Sequence, residues 1–188
     1  SPVEMTSKLS ERNALWAARR GLYTTVAGNR PTGTNALLED VVVPVDVLGA
    51  TCRDLTALFD AHGYQDSVIF GHAKDGNIHF MLNEQFRDAK QLVRYRDFTE
   101  EMVQLILDAD GSLKAEHGTG RIMAPFVRRQ FGDELFEVMR EIKRLIDPKG
   151  FLNPGVVLAD EDTDYATDLK VAETVEEEVD RCVECGYC

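Results

Sequence analysis

The sequence predicts an α+β fold, ferredoxin-like, with a mainly antiparallel sheet and helices packed on one of its faces. Three observations carry that expectation. Apolar residues recur at helical spacing in long runs, and short β-rich stretches separate those runs. Two of the β-rich stretches flank Asp75-Gly76, a strong two-residue hairpin turn. The order after an opening helix, β-α-β-β-α-β-α, then sets a hairpin between helices.

The opening helix runs from Ser7 to Val26 and carries Leu15, Trp16, Ala18, Leu22 and Tyr23, with Gly28 as its stop. Asn29 to Asn35 is loop. Leu37 to Val43 is β-rich up to Pro44, after which Val47, Leu48, Leu55, Leu58 and Phe59 recur at helical spacing until His62-Gly63 ends the helix. Ser67 to Gly71 and Ile78 to Leu82 are the two arms of the hairpin. Leu92, Phe98, Met102, Leu105 and Ile106 mark a long helix closed by Gly111, and Ser112 to Glu116 is short enough to be a further strand. A last helix from about Pro125 carries Phe131, Leu135, Val138, Ile142 and Leu145 until Asp147-Pro148-Lys149-Gly150 breaks it.

Composition narrows the function classes. The 188 residues are 44% apolar, enough for one ordinary core and too few for two full domains with a linker. Lys and Arg number 21 against 33 Asp and Glu, a formal charge of −12. Ten acidic and two basic residues fall between Asp160 and Arg181, so eight of those twelve charges belong to the tail. No basic face exists to neutralise phosphates, which argues against nucleic acid and anionic membranes as partners. No apolar run approaches the roughly twenty residues of a bilayer crossing, and no signal segment is evident, so a soluble cytoplasmic chain without a transmembrane segment is expected. The composition shift sets a boundary: residues 1–159 form one domain, and 160–188 an acidic linker that leads into a cysteine run.

Counting outward from Asp75-Gly76 puts Lys74 opposite Asn77, Ala73 opposite Ile78, and His72 opposite His79. Cross-strand partners have Cβ atoms about 4.5–5.5 Å apart and point to the same face, so both imidazoles can reach one metal ion or one anion. Ile78, Phe80 and Leu82 take the other face and join the core. Glu116-His117, ahead of Gly118-Thr119-Gly120, offers a carboxylate and another imidazole as third partner. Two histidines and one carboxylate leave positions open for water or substrate, the arrangement of a catalytic zinc, or of iron or manganese.

Three ordered motifs carry a resemblance: Gly71-His72-Ala73-Lys74-Asp75-Gly76-Asn77-Ile78-His79, then Glu116-His117-Gly118-Thr119-Gly120, then Asp147-Pro148-Lys149-Gly150-Phe151-Leu152-Asn153-Pro154-Gly155. Over essentially Ser10 to Leu158 the chain resembles the C-terminal domain of FAD-linked oxidases, in the vanillyl-alcohol-oxidase superfamily, and looks most like the D-lactate, glycolate and D-2-hydroxyglutarate dehydrogenases. The resemblance implies that FAD is bound mainly by a separate N-terminal domain, and that this chain is a fragment, inactive alone. It implies that His72, His79 and Glu116 hold a divalent metal, that His117 is the general base, that Arg19 grips the substrate carboxylate, that Asn77 lies near substrate, and that Asn153 approaches the flavin ring. One position departs from the pattern. Where hydroxyglutarate-type enzymes carry a lysine, this chain has Leu38, which favours a monocarboxylate such as D-lactate over a dicarboxylate.

The implied chemistry is coherent. Oxidising a 2-hydroxy acid removes the hydroxyl proton while hydride leaves C2, so a base of near-neutral pKa must touch the hydroxyl and the flavin must face the carbon. A metal on the hydroxyl and a carboxylate oxygen would lower the alcohol pKa, and Arg19 would clamp the carboxylate at two points.

Cys182-x-x-Cys185-x-x-Cys188 matches the opening of a bacterial ferredoxin-type ligand set, whose fourth cysteine is absent. A 4Fe-4S cluster in the full-length protein, taking electrons from reduced flavin, is expected over a zinc site or a redox Cys-x-x-Cys pair. Cys52 is expected to be a small core residue. The expected partners are a small 2-hydroxy acid and the FAD and iron-sulfur domains of the same polypeptide. Two other classes stay open: a stand-alone metal-dependent hydrolase using His72, His79 and Glu116 around an activated water, and a non-catalytic ferredoxin-like binding module in which the histidines are bystanders.

Overall fold

The computed structural model describes residues 6–159 and 163–183. Helix α1 (Leu9–Gly28) leads to strand β1 (Asn35–Val42), helix α2 (Leu48–Ala61), strand β2 (Val68–Phe70), strand β3 (Asn77–Glu84), helix α3 (Ala89–Asp108) and helix α4 (Val127–Ile146), with a single-turn α5 (Glu177–Asp180) in the tail. The three strands form one sheet in the order β1-β3-β2, and β3 is antiparallel to both neighbours. This is the expected α+β class: a split β-α-β unit with an inserted antiparallel strand. Among the described residues no helix is long and apolar enough to cross a membrane.

Period-two alternation decides where the core sits. Val41, Ile78, Phe80 and Leu82 point to one face of the sheet, where Leu55 and Phe59 of α2 and Phe98, Met102, Val103 and Ile106 of α3 close over them. Phe59 meets Phe80 and Phe98 at ring-centroid separations of 5.5 and 5.8 Å. Each such buried aromatic contributes on the order of 2–3 kcal/mol of apolar transfer, which the pairing geometry augments. Helix α3 begins ahead of its first predicted apolar residue because Asp88 caps it, accepting from the Gln91 N–H at 2.9 Å. Cys52 is half-buried against the core, and burial pushes its thiol up.

Three expectations need correction. His79 faces Phe70 across the hairpin, not His72, because the chain from Gly71 to Gly76 does not form a two-residue turn. Instead Ala73–Asp75 winds into a 3-10 turn, with the N–H groups of Asp75 and Asn77 both donating to the His72 carbonyl at 2.8 and 3.3 Å. Ser112 to Glu116 is not a strand: Ser112 exchanges two bonds with Val42 in an isolated bridge, and the N–H groups that would continue the ladder are taken by a side chain described below. Helix α4 breaks at Gly132 (φ 78°, ψ 167°), and Phe131, Leu135, Val138, Ile142 and Leu145 all remain exposed. Helical spacing gave that stripe correctly, but no neighbouring element among the described residues covers it.

The acidic tail touches the domain. Tyr165 packs its ring against Phe126 (5.4 Å) and Tyr95 (6.3 Å), and Ala166 is buried. Asp164 pairs with Arg96, and Arg30 donates to the carbonyls of Asp180 and Cys182 at 3.0 and 2.8 Å.

Candidate metal and substrate site

The face of the sheet turned away from α2 and α3 carries Asp40 on β1 and Asn77 and His79 on β3, side by side because Asp40 pairs with His79 and Val42 with Asn77. His79 is buried, as are its chain neighbours Ile78 and Phe80. The 3-10 turn swings His72 back over it, so that the two rings lie 5.6 Å apart, edge to face. The misread register costs nothing here. His79 pairs two residues away from the predicted partner, and a shift by an even number keeps every side chain on its face.

Glu116 arrives from the loop after the Ser112 bridge. Its Oε1 lies 2.7 Å from His79 Nε2 and 3.3 Å from His72 Nε2, and one ligand atom from each of the three residues falls within 4.8 Å of the others. A divalent ion about 2.0–2.2 Å from each of three ligands needs them roughly 3–4 Å apart, so the donor set fits such an ion after a small closure. His72 and Glu116 are partly exposed, which leaves the outer positions open to water or a small ligand. His117, an exposed residue, stacks its imidazole on that of His79, centroids 4.8 Å apart and planes 12° from parallel.

Asp40 organises the cluster and was not among the predicted site residues. It is wholly buried. Its Oδ2 accepts from the backbone N–H groups of Ala115, Glu116 and His117 at 3.0, 2.6 and 2.9 Å, and its Oδ1 from Asn77 Nδ2 at 2.7 Å. Burial works to raise the Asp40 carboxyl, but the N–H groups of His117, Glu116 and Ala115 together with Asn77 outweigh it and hold it below the usual carboxylate range. Burial is also the largest influence on His79 and lowers it, against the neighbouring Asp40 carboxylate, which favours the neutral imidazole that a metal needs. A signal for Asp40 was present in the sequence: Glu39-Asp40 interrupts an otherwise apolar strand, and buried carboxylates need partners.

The other predicted residues are placed as follows. Arg19, half-buried on α1, holds its guanidinium 4.9 Å from the centroid of the Phe70 ring, and that ring is 5.4 Å from His79. Asn77 is 6% exposed and its amide is committed, donating to Asp40 and to the Val41 carbonyl and accepting from the His72 N–H. Asn153 is exposed and left-handed (φ 44°), in a loop joined to the Gly118–Gly120 turn by the Val157 N–H donating to the Gly120 carbonyl at 3.2 Å. Leu38 pairs with Met81 on the face that holds His79. Cys182 is exposed, and Cys185 and Cys188 lie outside the described residues.

Comparison with known proteins matches residues 2–157 to the family described as "FAD linked oxidases, C-terminal domain". The glycolate oxidase subunit GlcD of Bacillus subtilis is 29% identical over 158 residues, 84% of this chain and 33% of that protein. The probable mitochondrial D-lactate dehydrogenase of Danio rerio is 31% identical over 147 residues, 78% of this chain and 29% of that protein. The D-2-hydroxyglutarate dehydrogenase of Escherichia coli is 32% identical over 126 residues, 67% of this chain and 12% of that protein. The chain thus spans a third or less of the length of these curated relatives.

Proposed function

Because the chain belongs to the C-terminal domain family of FAD-linked oxidases, we propose that it supplies the substrate- and metal-binding part of a flavin-dependent dehydrogenase that oxidises a D-2-hydroxy acid to the 2-oxo acid. One observation carries the reading: His72, His79 and Glu116, from three separate segments, bring one ligand atom each within 4.8 Å of one another beside the exposed His117. His72 Nε2, His79 Nε2 and Glu116 Oε1 would hold a divalent zinc, iron or manganese ion, which when bound supplies a Lewis acid to the substrate hydroxyl. FAD, held mainly outside this chain, supplies the hydride acceptor.

The chain's own residues then do the following. His117 accepts the hydroxyl proton; its exposure gives it access to a ligand at the open side of the cluster, and its stacking on His79 fixes the ring plane. Arg19 takes the substrate carboxylate, with Phe70 holding the guanidinium on the His79 side of α1. Asn77 is better placed to steady Asp40 and the His72 peptide than to touch the substrate. Asn153 approaches the flavin from the loop tied to Gly120. Leu38, on the same face, offers no cation to a second carboxylate, so D-lactate or a similar monocarboxylate is the favoured substrate. Cys182, Cys185 and Cys188 open a 4Fe-4S ligand set that passes electrons onward from the flavin, and Arg30 anchors the backbone where that set begins. A cytoplasmic location and the division of the chain at residue 160 belong to the same proposal.

The test uses the intact polypeptide that carries this domain. D-lactate should bleach its flavin absorbance faster than D-2-hydroxyglutarate does, and His117→Ala should slow the D-lactate reaction by about 10²- to 10⁴-fold. Equal bleaching by wild type and His117→Ala would remove the base from this account, and a preference for the dicarboxylate would remove the role of Leu38.

A further inference from the structure

We propose that Asp40 is the positioning residue of this metal site, a single buried carboxylate that both sets the tautomer of His79 and holds Glu116 and His117 over it. The inference rests on the metal reading above and deepens it. Four hydrogen bonds already converge on Asp40, three from the consecutive peptide N–H groups of Ala115, Glu116 and His117 and one from Asn77. The loop that carries one ligand and the proposed base is therefore wrapped around an anion that belongs to another strand. The fifth contact is incomplete. His79 Nδ1 is buried, makes no hydrogen bond, and lies 3.4 Å from Asp40 Oδ1.

A buried imidazole nitrogen with no partner is costly, and its nearest acceptor is a few tenths of an ångström too far. When Nε2 ligates a cation, the proton must reside on Nδ1, and withdrawal of electron density makes that N–H a stronger donor, so the gap to Asp40 closes. Asp40 in this way rewards the tautomer that turns the Nε2 lone pair outward. Three donors occupy Oδ2 and Asn77 takes one site on Oδ1, so the one site left on Oδ1 faces His79 Nδ1, and a neutral amide cannot take the carboxylate's place without conflict.

Asp40→Asn tests this on the chain as described. The amide oxygen can still accept from the three loop N–H groups, but its NH₂ then faces two donors, Asn77 Nδ2 and His79 Nδ1–H. Relief for His79 comes by moving its proton to Nε2, a tautomer with no lone pair there for a cation, so ligation carries the cost of returning the proton to Nδ1. Zinc affinity, read by competition with a chromogenic chelator, should fall about 10- to 100-fold, while amide exchange at residues 115–117 stays within a few-fold of wild type. If Asp40 acted only by holding the loop that carries Glu116, the loss of affinity would come with much faster amide exchange at residues 115–117, and that outcome would overturn its role in setting the tautomer. Zinc bound equally by wild type and Asp40→Asn but lost in His79→Ala would overturn the role of Asp40 by itself. A wild-type chain that takes up no zinc would overturn the metal reading, and this proposal with it. Should Asp40→Asn not fold, the zinc-loaded wild type decides: its His79 Nδ1–H proton should be slowly exchanging and shifted downfield by a carboxylate partner, and a fast-exchanging, unshifted proton counts against the proposal.

Discussion

At Gly76 one hydrogen atom decides whether the histidines meet. The residue is left-handed at φ 70°, and a Cβ built there would fall 1.9 Å from the Val43 carbonyl oxygen, which also marks where the backbone of β1 closes on the turn: the Val43 N–H donates to the Gly76 carbonyl at 3.0 Å. Backbone, not a flexible side chain, stands in the way. Gly76→Ala should therefore destabilise the domain by at least about 2 kcal/mol and weaken the proposed zinc binding in proportion to the displacement of His72, measurable by urea unfolding and chelator competition respectively. A loss below about 0.5 kcal/mol, the usual range for a surface change, would show that the turn rearranges freely. His72 and His79 could be read from the sequence, because a register shift by two keeps side chains on one face; Glu116 and His117 stood out by residue type alone, since the strand expected to carry them is a loop. Asp40 could not be read as their organiser, since its partners come from positions 77 and 115–117 and only folding brings those to one carboxylate.

The end of α4 is a second place where a carboxylate shapes backbone. Asp147 accepts from Lys143 Nζ at 2.6 Å and from the N–H groups of Leu152 and Phe151 at 2.8 and 3.0 Å. Lys143 is the largest influence, with the Leu152 N–H next, and together they lower the Asp147 carboxyl from 3.8 to about 2. A folded-state value below the unfolded one means that the ionised form supports the turn. Its contribution is complete above about pH 4 and disappears as pH falls through about 2. Amide protection factors at Phe151 and Leu152 should accordingly hold from pH 6 to about 4 and drop steeply below it, while Asp147→Asn should show low protection throughout. A flat profile in the wild type would contradict this. The break itself was legible, because Asp-Pro-Lys-Gly ends helices by local sterics. The hairpin was only half legible: turn residues announce a reversal but do not say how many residues it consumes, and Gly71 to Gly76 consumed six where two were expected.

Across the whole chain, the acidic segment that composition marks as a linker is tied to the domain at Asp164, Tyr165, Ala166 and, through Arg30, at Asp180 and Cys182. Tyr165→Ala should cost about 2 kcal/mol in urea unfolding, the amount expected for removing a half-buried aromatic, and should make the bonds after residue 160 more susceptible to limited proteolysis. No change in either would mean that the tail rests on the surface without contributing to it. Class and strand faces were already written into the order of residues, since helical and strand periodicities, turn formers and net charge are local properties. Which elements lie next to one another was not. The expected strand at 112–116 that does not form, the α4 stripe left uncovered among the described residues, the docked tail and the four bonds to Asp40 all depend on contacts between segments tens of residues apart, and a one-dimensional pattern carries no term for the partner that a buried polar group finds.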